Sequence, residues 1–177
     1  MTSEVEVRTF INNEEYKRLL AFFKENAEYQ GRKDEETVYF SCEQDIRLRK
    51  TADKAKLMFK TGDLHDEARE EIEVSFPVDD FDKMLKILLA LNWEIILKWL
   101  RRREIFSWKG FRVLVDDSKG YGKILEIEKI DPENTEETLE EIRALLKELK
   151  VKETSKDTFR QKYEWYKRNW QRLLNNA

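Results

Sequence analysis

Apolar and charged residues alternate with period two in Glu4-Val5-Glu6-Val7-Arg8, which puts two carboxylates and a cation on one face of a strand and two valines on the other. The same alternation returns in Asp45-Ile46-Arg47-Leu48-Arg49, in Arg69-Glu70-Glu71-Ile72-Glu73 and in Leu125-Glu126-Ile127-Glu128, and Arg101 and Arg103 share a face across Arg102. Thr37–Ser41, Lys56–Lys60 and Phe111–Asp116 also read as short strands, and Trp93–Trp108 as a strand with a bend or break in its middle. Between them the period changes to that of a helix. Asn12 to Glu15 supplies a cap and acidic first turn for a helix to about Ala27, with Tyr16, Leu19, Leu20 and Phe23 on one side. Asp79-Asp80 opens a helix with a Phe81, Leu85, Leu88 stripe, and Asn134-Thr135 caps another through Leu149. A last amphipathic helix, about residues 157 to 174, carries Phe159, Tyr163, Tyr166, Trp170 and Leu173. Gly110 and the Gly120, Gly122 pair mark hairpin turns.

These elements predict an α+β fold: an eight-stranded antiparallel β-barrel, closed so that short strands leave no free edges, with helices packed outside. Period two then sorts the residues. If Val5, Val7, Ile46, Leu48, Ile72, Val74, Val113, Val115, Leu125 and Ile127 lie under the helices, their charged neighbours face the lumen. An open sheet with helices on one face satisfies the same pattern, and a charged strand face in isolation is most often a solvated one.

The 177 residues suit one domain, residues 1 to 177, and five glycines and two prolines leave little room for disorder. A net charge of −3, from 34 basic and 37 acidic residues, argues against nucleic acid as a partner. No apolar run reaches membrane-spanning length, the N-terminus lacks signal-peptide order, and the lone Cys42 fits a reducing compartment, so the expectation is a cytoplasmic protein, monomer or homodimer. The single histidine, His65, reads as a solvated loop residue.

On the barrel reading Arg8, Arg47, Arg49, Lys56, Lys60, Arg69, Arg101 and Arg103 share the lumen, with Arg112 a further candidate, among the acidic Glu4, Glu6, Glu71, Glu73, Asp116, Glu126 and Glu128. Like charges 4 Å apart repel by roughly 4 kcal/mol at an effective dielectric near 20, so such an interior needs partners. Salt bridges between the two sets supply some. A surplus of guanidinium groups suits a compact polyanion, and carboxylates two residues apart suit a hard divalent cation, Mg²⁺ or Mn²⁺. Together they describe a metal and triphosphate site.

The order of these motifs resembles the CYTH superfamily, the triphosphate tunnel metalloenzymes. Glu4-Val5-Glu6-Val7-Arg8 is similar to that family's ExExK opening, Arg47-Leu48-Arg49 to its LRxR segment, Lys60 to its mid-chain lysine and Arg69 to Glu73 to its RxExE strand. Arg101 with Arg103, Asp116, and the closing Gly122 to Glu128 follow in the family's order, with Thr158-Phe159 where many members have Ser-Tyr. The resemblance covers residues 4 to 162 and implies a tunnel whose basic residues bind a small-molecule triphosphate: tripolyphosphate, ATP or thiamine triphosphate. It makes Glu4, Glu6, Glu126 and Glu128 the first metal ligands, Glu71, Glu73 and Asp116 further ones, and Glu4, Glu6 and Arg8 the catalytic set. The family lysine is Arg8 here, and a permanently protonated arginine binds and orients phosphate without acting as a base. The expected activity is metal-dependent hydrolysis of a terminal phosphate; class IV adenylate cyclase chemistry and triphosphate binding without turnover are the alternatives.

Overall fold

The computed structural model describes residues 3–62, 68–131 and 133–175, with the backbone alone at 3–4 and 68–70; His65 and the connection around it lie outside the described residues. In chain order the elements are β1 (Ser3–Ile11), α1 (Asn13–Asn26), β2 (Glu28–Phe40), β3 (Asp45–Lys50), β4 (Lys54–Lys60), β5 (Ala68–Pro77), α2 (Phe81–Ala90), β6 (Ile95–Trp108), β7 (Phe111–Ser118), β8 (Gly122–Ile130), α3 (Thr135–Glu148) and α4 (Lys156–Asn175). All strand pairs are antiparallel, in the order β1-β5-β4-β3-β2-β6-β7-β8, and β8 pairs back onto β1. The ring is therefore the expected barrel. Among the described residues β1 meets β5 at Ser3 with Glu70, Glu4 with Arg69 and Val5 with Ala68.

Local chemistry sets the elements. The Asn12 side chain accepts from the Glu14 and Glu15 amides at 2.9 Å, and the Asn12 amide donates to the Glu15 carboxylate at 2.8 Å, a reciprocal cap that starts α1 where the chain leaves β1. Gly120, at φ 73°, turns β7 into β8, a backbone conformation that side chains other than glycine's resist.

One strand is longer, and another less broken, than the sequence pattern suggested. β2 begins at Glu28 rather than Thr37, because β6 pairs with it from Glu28 opposite Ser107 to Phe40 opposite Ile95. A bulge between Tyr29 and Gly31, with Gly31 at φ 111°, shifts the register near its start. For the same reason β6 runs unbroken from Ile95 to Trp108: β2 lies along one side of it and β7 along much of the other, so no break opens in its middle.

The helices lie outside. Leu19 and Phe23 of α1 and Ile142, Leu145 and Leu146 of α3 cover Val5, Val7, Val113, Val115, Leu125 and Ile127. Phe81 and Leu88 of α2 cover Val38, Leu48 and Ala55. Phe159 and Tyr166 of α4 join Tyr39, Leu97, Tyr121 and Ile124, and the Tyr166 hydroxyl donates to the Lys98 carbonyl at 2.8 Å. No helix among the described residues is long and apolar enough to cross a membrane. Coverage fails at β5. Ile72 and Val74 do point outward, yet they stay 57% and 59% exposed, because α2 follows β5 and folds back over β2, β3 and β4 instead.

This difference in cover predicts a difference in cost. Leu125→Ala, at a fully buried position, is expected to lose about 2–5 kcal/mol of unfolding free energy. Ile72→Ala is expected to lose less than about 1 kcal/mol. Urea unfolding of the two variants checks both.

Candidate active site

Alternation along the strands brings the predicted charges into one cavity of about 180 Å³. Among the described residues its lining holds ten lysines and arginines against six glutamates. Arg8, Arg47, Arg49, Lys56, Lys60, Arg101 and Arg103 all line it, as do Glu6, Glu71, Glu73, Glu126 and Glu128. Arg112, the further candidate, joins them with its carboxylate partner Glu128. The side chains of Glu4 and Arg69 lie outside the described residues; their backbones pair across β1 and β5.

Most of the cations are held by carboxylates. Arg8 reaches Glu6 at 2.7 Å and Glu126 at 3.2 Å, and Arg103 reaches Glu126 at 3.0 Å and Asp116 at 2.7 Å. Arg101 bridges Glu35 at 2.8 Å and Asp116 at 3.2 Å, Lys60 pairs with Glu71 at 2.7 Å, and Lys56 pairs with Glu73. Arg47 is held bidentately by Asp45 at 2.8 and 2.6 Å and lies 4.7 Å over the Tyr39 ring. Arg49 differs. Of the described cavity arginines it alone has no carboxylate in ion-pair reach, and its guanidinium donates only to the Thr37 hydroxyl at 3.3 Å. Burial lowers its pKa and the nearby Arg101 and Arg103 add to that, against the pull of Glu35. Arg49 is thus the cation with most to gain from an incoming anion.

The carboxylates fall into groups. Oxygens of Glu6, Glu126 and Glu128 lie within 4.8 Å of one another, so strands β1 and β8 bring together the two ends of the chain as their motifs implied. Burial pushes the Glu126 carboxyl up, but Arg8, Arg103 and Arg101 outweigh it and hold it well below the usual range. Glu71 and Glu73 sit apart on β5. Burial and the Glu73 charge push Glu71 up against the pull of Lys60, while Lys56 helps to hold Glu73 down despite burial. Asp116 is fully buried behind Arg101 and Arg103 and does not line the cavity.

β2 contributes what the sequence reading missed. Lys33 and Glu35 line the cavity and Thr37 meets Arg49 at its wall, all at steps of two, so period two was legible there once the strand was known to start early. Thr51 and Lys54, at the β3–β4 turn, also line it. Tyr39 and Trp99 both face the cavity.

A profile of the CYTH domain matches residues 2–159. A curated protein of Methanocaldococcus jannaschii named as a putative adenylate cyclase is 34% identical over 85 residues, 47% of this chain; the match spans about half of that relative, 47% of its length. A conserved hypothetical protein from Pyrococcus furiosus superposes with a TM-score of 0.72 at 29% identity, covering 84% of this chain and 91% of that one. A Hippeastrum protein described as a putative adenylyl cyclase with a dominant triphosphatase activity gives a TM-score of 0.64 at 15% identity, over 89% of this chain and 94% of its own, a likeness of fold.

Glu35 offers a test of the network in solution. Burial would raise its carboxyl, but Arg101, Arg49 and Arg103 hold it at about 2. The unfolded chain, near the usual value of about 4.3, binds that proton first. The stabilisation, about 3 kcal/mol, is therefore complete above that value and is lost as pH falls toward 2. Glu35→Gln is expected to cost about that much at pH 7 and roughly half as much at pH 3, by urea unfolding at both; an equal cost at the two pH values would contradict it.

Proposed function

The chain belongs to the CYTH domain family, and from that premise we propose that it is a metal-dependent triphosphatase, which hydrolyses the terminal phosphate of an inorganic or organic triphosphate held in the cavity. The observation that carries this reading is one volume in which, among the described residues, cations outnumber carboxylates ten to six while three of those carboxylates converge. An excess of positive charge on that scale suits a compact polyanion.

The donor set fits a hard divalent cation. Glu6, Glu126 and Glu128 offer only oxygen, from buried side chains on adjacent strands, as Mg²⁺ or Mn²⁺ prefers. Glu4, two residues before Glu6 on the same strand, is a fourth candidate, with Glu71, Glu73 and Asp116 further off. When bound, the ion would supply charge neutralisation at the phosphate oxygens and a more acidic water.

The chain's own residues do the rest. Arg49 is the first anchor, because a phosphate there gives a guanidinium the anionic partner it lacks. Lys56, Lys60, Arg47, Arg101 and Arg103 line the same volume and add donors along the ligand, and Arg69 belongs with them by its place on β5. Arg8 lies between Glu6 and Glu126. Burial lowers its pKa, yet those two carboxylates raise it above its ordinary value, so it remains a cation, orients phosphate and takes no proton. Phosphate at Arg8 and a cation at Glu6 and Glu126 would give the guanidinium and the two carboxylates new partners in place of one another. Metal and triphosphate should therefore each tighten the other's binding.

Catalysis on this reading is positioning and charge stabilisation. The second reading, cyclisation of ATP, is favoured by the name of the Methanocaldococcus jannaschii relative. Incubation with Mg²⁺ or Mn²⁺ and tripolyphosphate, ATP or thiamine triphosphate separates the readings. Orthophosphate supports hydrolysis, cyclic AMP with pyrophosphate supports cyclisation, and a rise in Tm without products supports binding alone.

Two variants sharpen the residue roles. Glu126→Gln with Glu128→Gln is expected to abolish metal-dependent turnover. Arg49→Ala is expected to weaken tripolyphosphate binding by about tenfold or more without lowering the unfolding free energy, since it removes a charge with no carboxylate partner. Calorimetric titration and urea unfolding read the two effects separately.

A further inference from the structure

β2 runs between the two strands that carry the cavity's paired arginines, β3 with Arg47 and Arg49 and β6 with Arg101 and Arg103. Three successive inward positions of β2 each meet a different one of these arginines. Glu35 accepts from Arg101 at 2.8 and 3.2 Å, Thr37 accepts from Arg49 at 3.3 Å, and the Tyr39 ring lies 4.7 Å from the Arg47 guanidinium. Of the three, Thr37 alone is a neutral hydrogen-bond acceptor.

Thr37 is buried and lies directly opposite Arg49 in the β2–β3 register. Its hydroxyl takes the Nε proton of the guanidinium, and the two terminal nitrogens keep no acceptor among the described residues. The edge they form can hold a phosphate group bidentately. Without the hydroxyl the guanidinium has somewhere else to go. Glu35, two residues back on the same face of β2, is the carboxylate that pulls most strongly on Arg49, and Arg101 donates to only one of its two oxygens. An acidic side chain in place of Thr37 would neutralise Arg49 outright, and an aliphatic one would release it toward Glu35. A hydroxyl does neither.

We propose that Thr37 is a positioning residue, whose hydroxyl holds the Arg49 guanidinium by its Nε, keeps it from Glu35 and aims its free edge at the phosphate of the ligand. This rests on the triphosphate reading above and deepens it, because it names what keeps Arg49 available as the first anchor. Thr37 acts through Arg49 and makes no contact with the ligand itself.

Titration calorimetry with tripolyphosphate in Mg²⁺ tests it on the wild-type protein, Thr37→Val, Thr37→Ser, Arg49→Ala and the double variant of Thr37→Val with Arg49→Ala. Thr37→Val, which keeps the shape and removes the acceptor, is expected to weaken binding about tenfold, whereas Thr37→Ser, which keeps the hydroxyl, stays within about threefold of wild type. Added to Arg49→Ala, Thr37→Val is expected to cost less than about twofold more, because the side chain it acts through is gone. A merely structural role for Thr37 would cost the same factor in both backgrounds, and that result overturns the proposal. So does a Thr37→Ser protein as weak as Thr37→Val, or a Thr37→Val protein that binds like wild type while Arg49→Ala loses affinity. Each of these leaves the triphosphate reading standing. If Thr37→Val fails to fold, Thr37→Ala removes the same hydroxyl and is taken through the same cycle. Failure of the wild-type protein to bind tripolyphosphate overturns both readings.

Discussion

The ten described cations of the cavity cannot share a small volume unless carboxylates are interleaved among them, and the register of the barrel is what interleaves them. Arg103 lies opposite Asp116 across β6 and β7, and Arg8 opposite Glu126 across β1 and β8. The ion pairs follow as an unbroken line of alternating sign, Glu35, Arg101, Asp116, Arg103, Glu126, Arg8, Glu6. A slip of one residue in any of these strands would turn its charges toward α1 and α3 and its valines toward water. The apolar exterior and the ionic interior therefore specify one another. Asp116 belongs to this framework: with no surface exposed, it fixes two arginines that point into the cavity.

Such a network is a modest source of net stability, because desolvation offsets much of what the ion pairs return. Its worth lies in being exchangeable. A guanidinium already stripped of water and aimed inward loses little on trading a carboxylate for a phosphate oxygen, and a carboxylate released from Arg8 is already placed beside two others. Arg49 stands outside the exchange, with no carboxylate in ion-pair reach before any ligand arrives.

Much of this was legible in the chain. Period two in Glu4 to Arg8, Asp45 to Arg49 and Leu125 to Glu128 was enough to put the charges in one lumen, because one face of each strand is apolar and has helices to cover it. The first half of β2 was not read, since Glu28 to Glu36 contains almost nothing apolar and is a strand only because β6 offers partners for its amides and carbonyls. That lapse hid Lys33 and Glu35. The exposure of Ile72 and Val74 was illegible for a similar reason: they carry the pattern of a covered strand, and where α2 settles depends on which surface suits its Phe81 and Leu88 best. The separation of Asp116 from the Glu6, Glu126, Glu128 group depends on depth along the barrel, which sequence order does not record.

The uncovered face of β5 has a consequence for solubility. Ile72 and Val74 present apolar side chains to water there, on a strand that pairs with β4 and β1. An apolar, strand-forming run is a template for another chain while the protein is unfolded. The segment is instead written Arg69-Glu70-Glu71-Ile72-Glu73-Val74, so a charge stands beside every apolar residue. The glutamates that face the tunnel from β5 thus also interrupt the run that would otherwise invite aggregation.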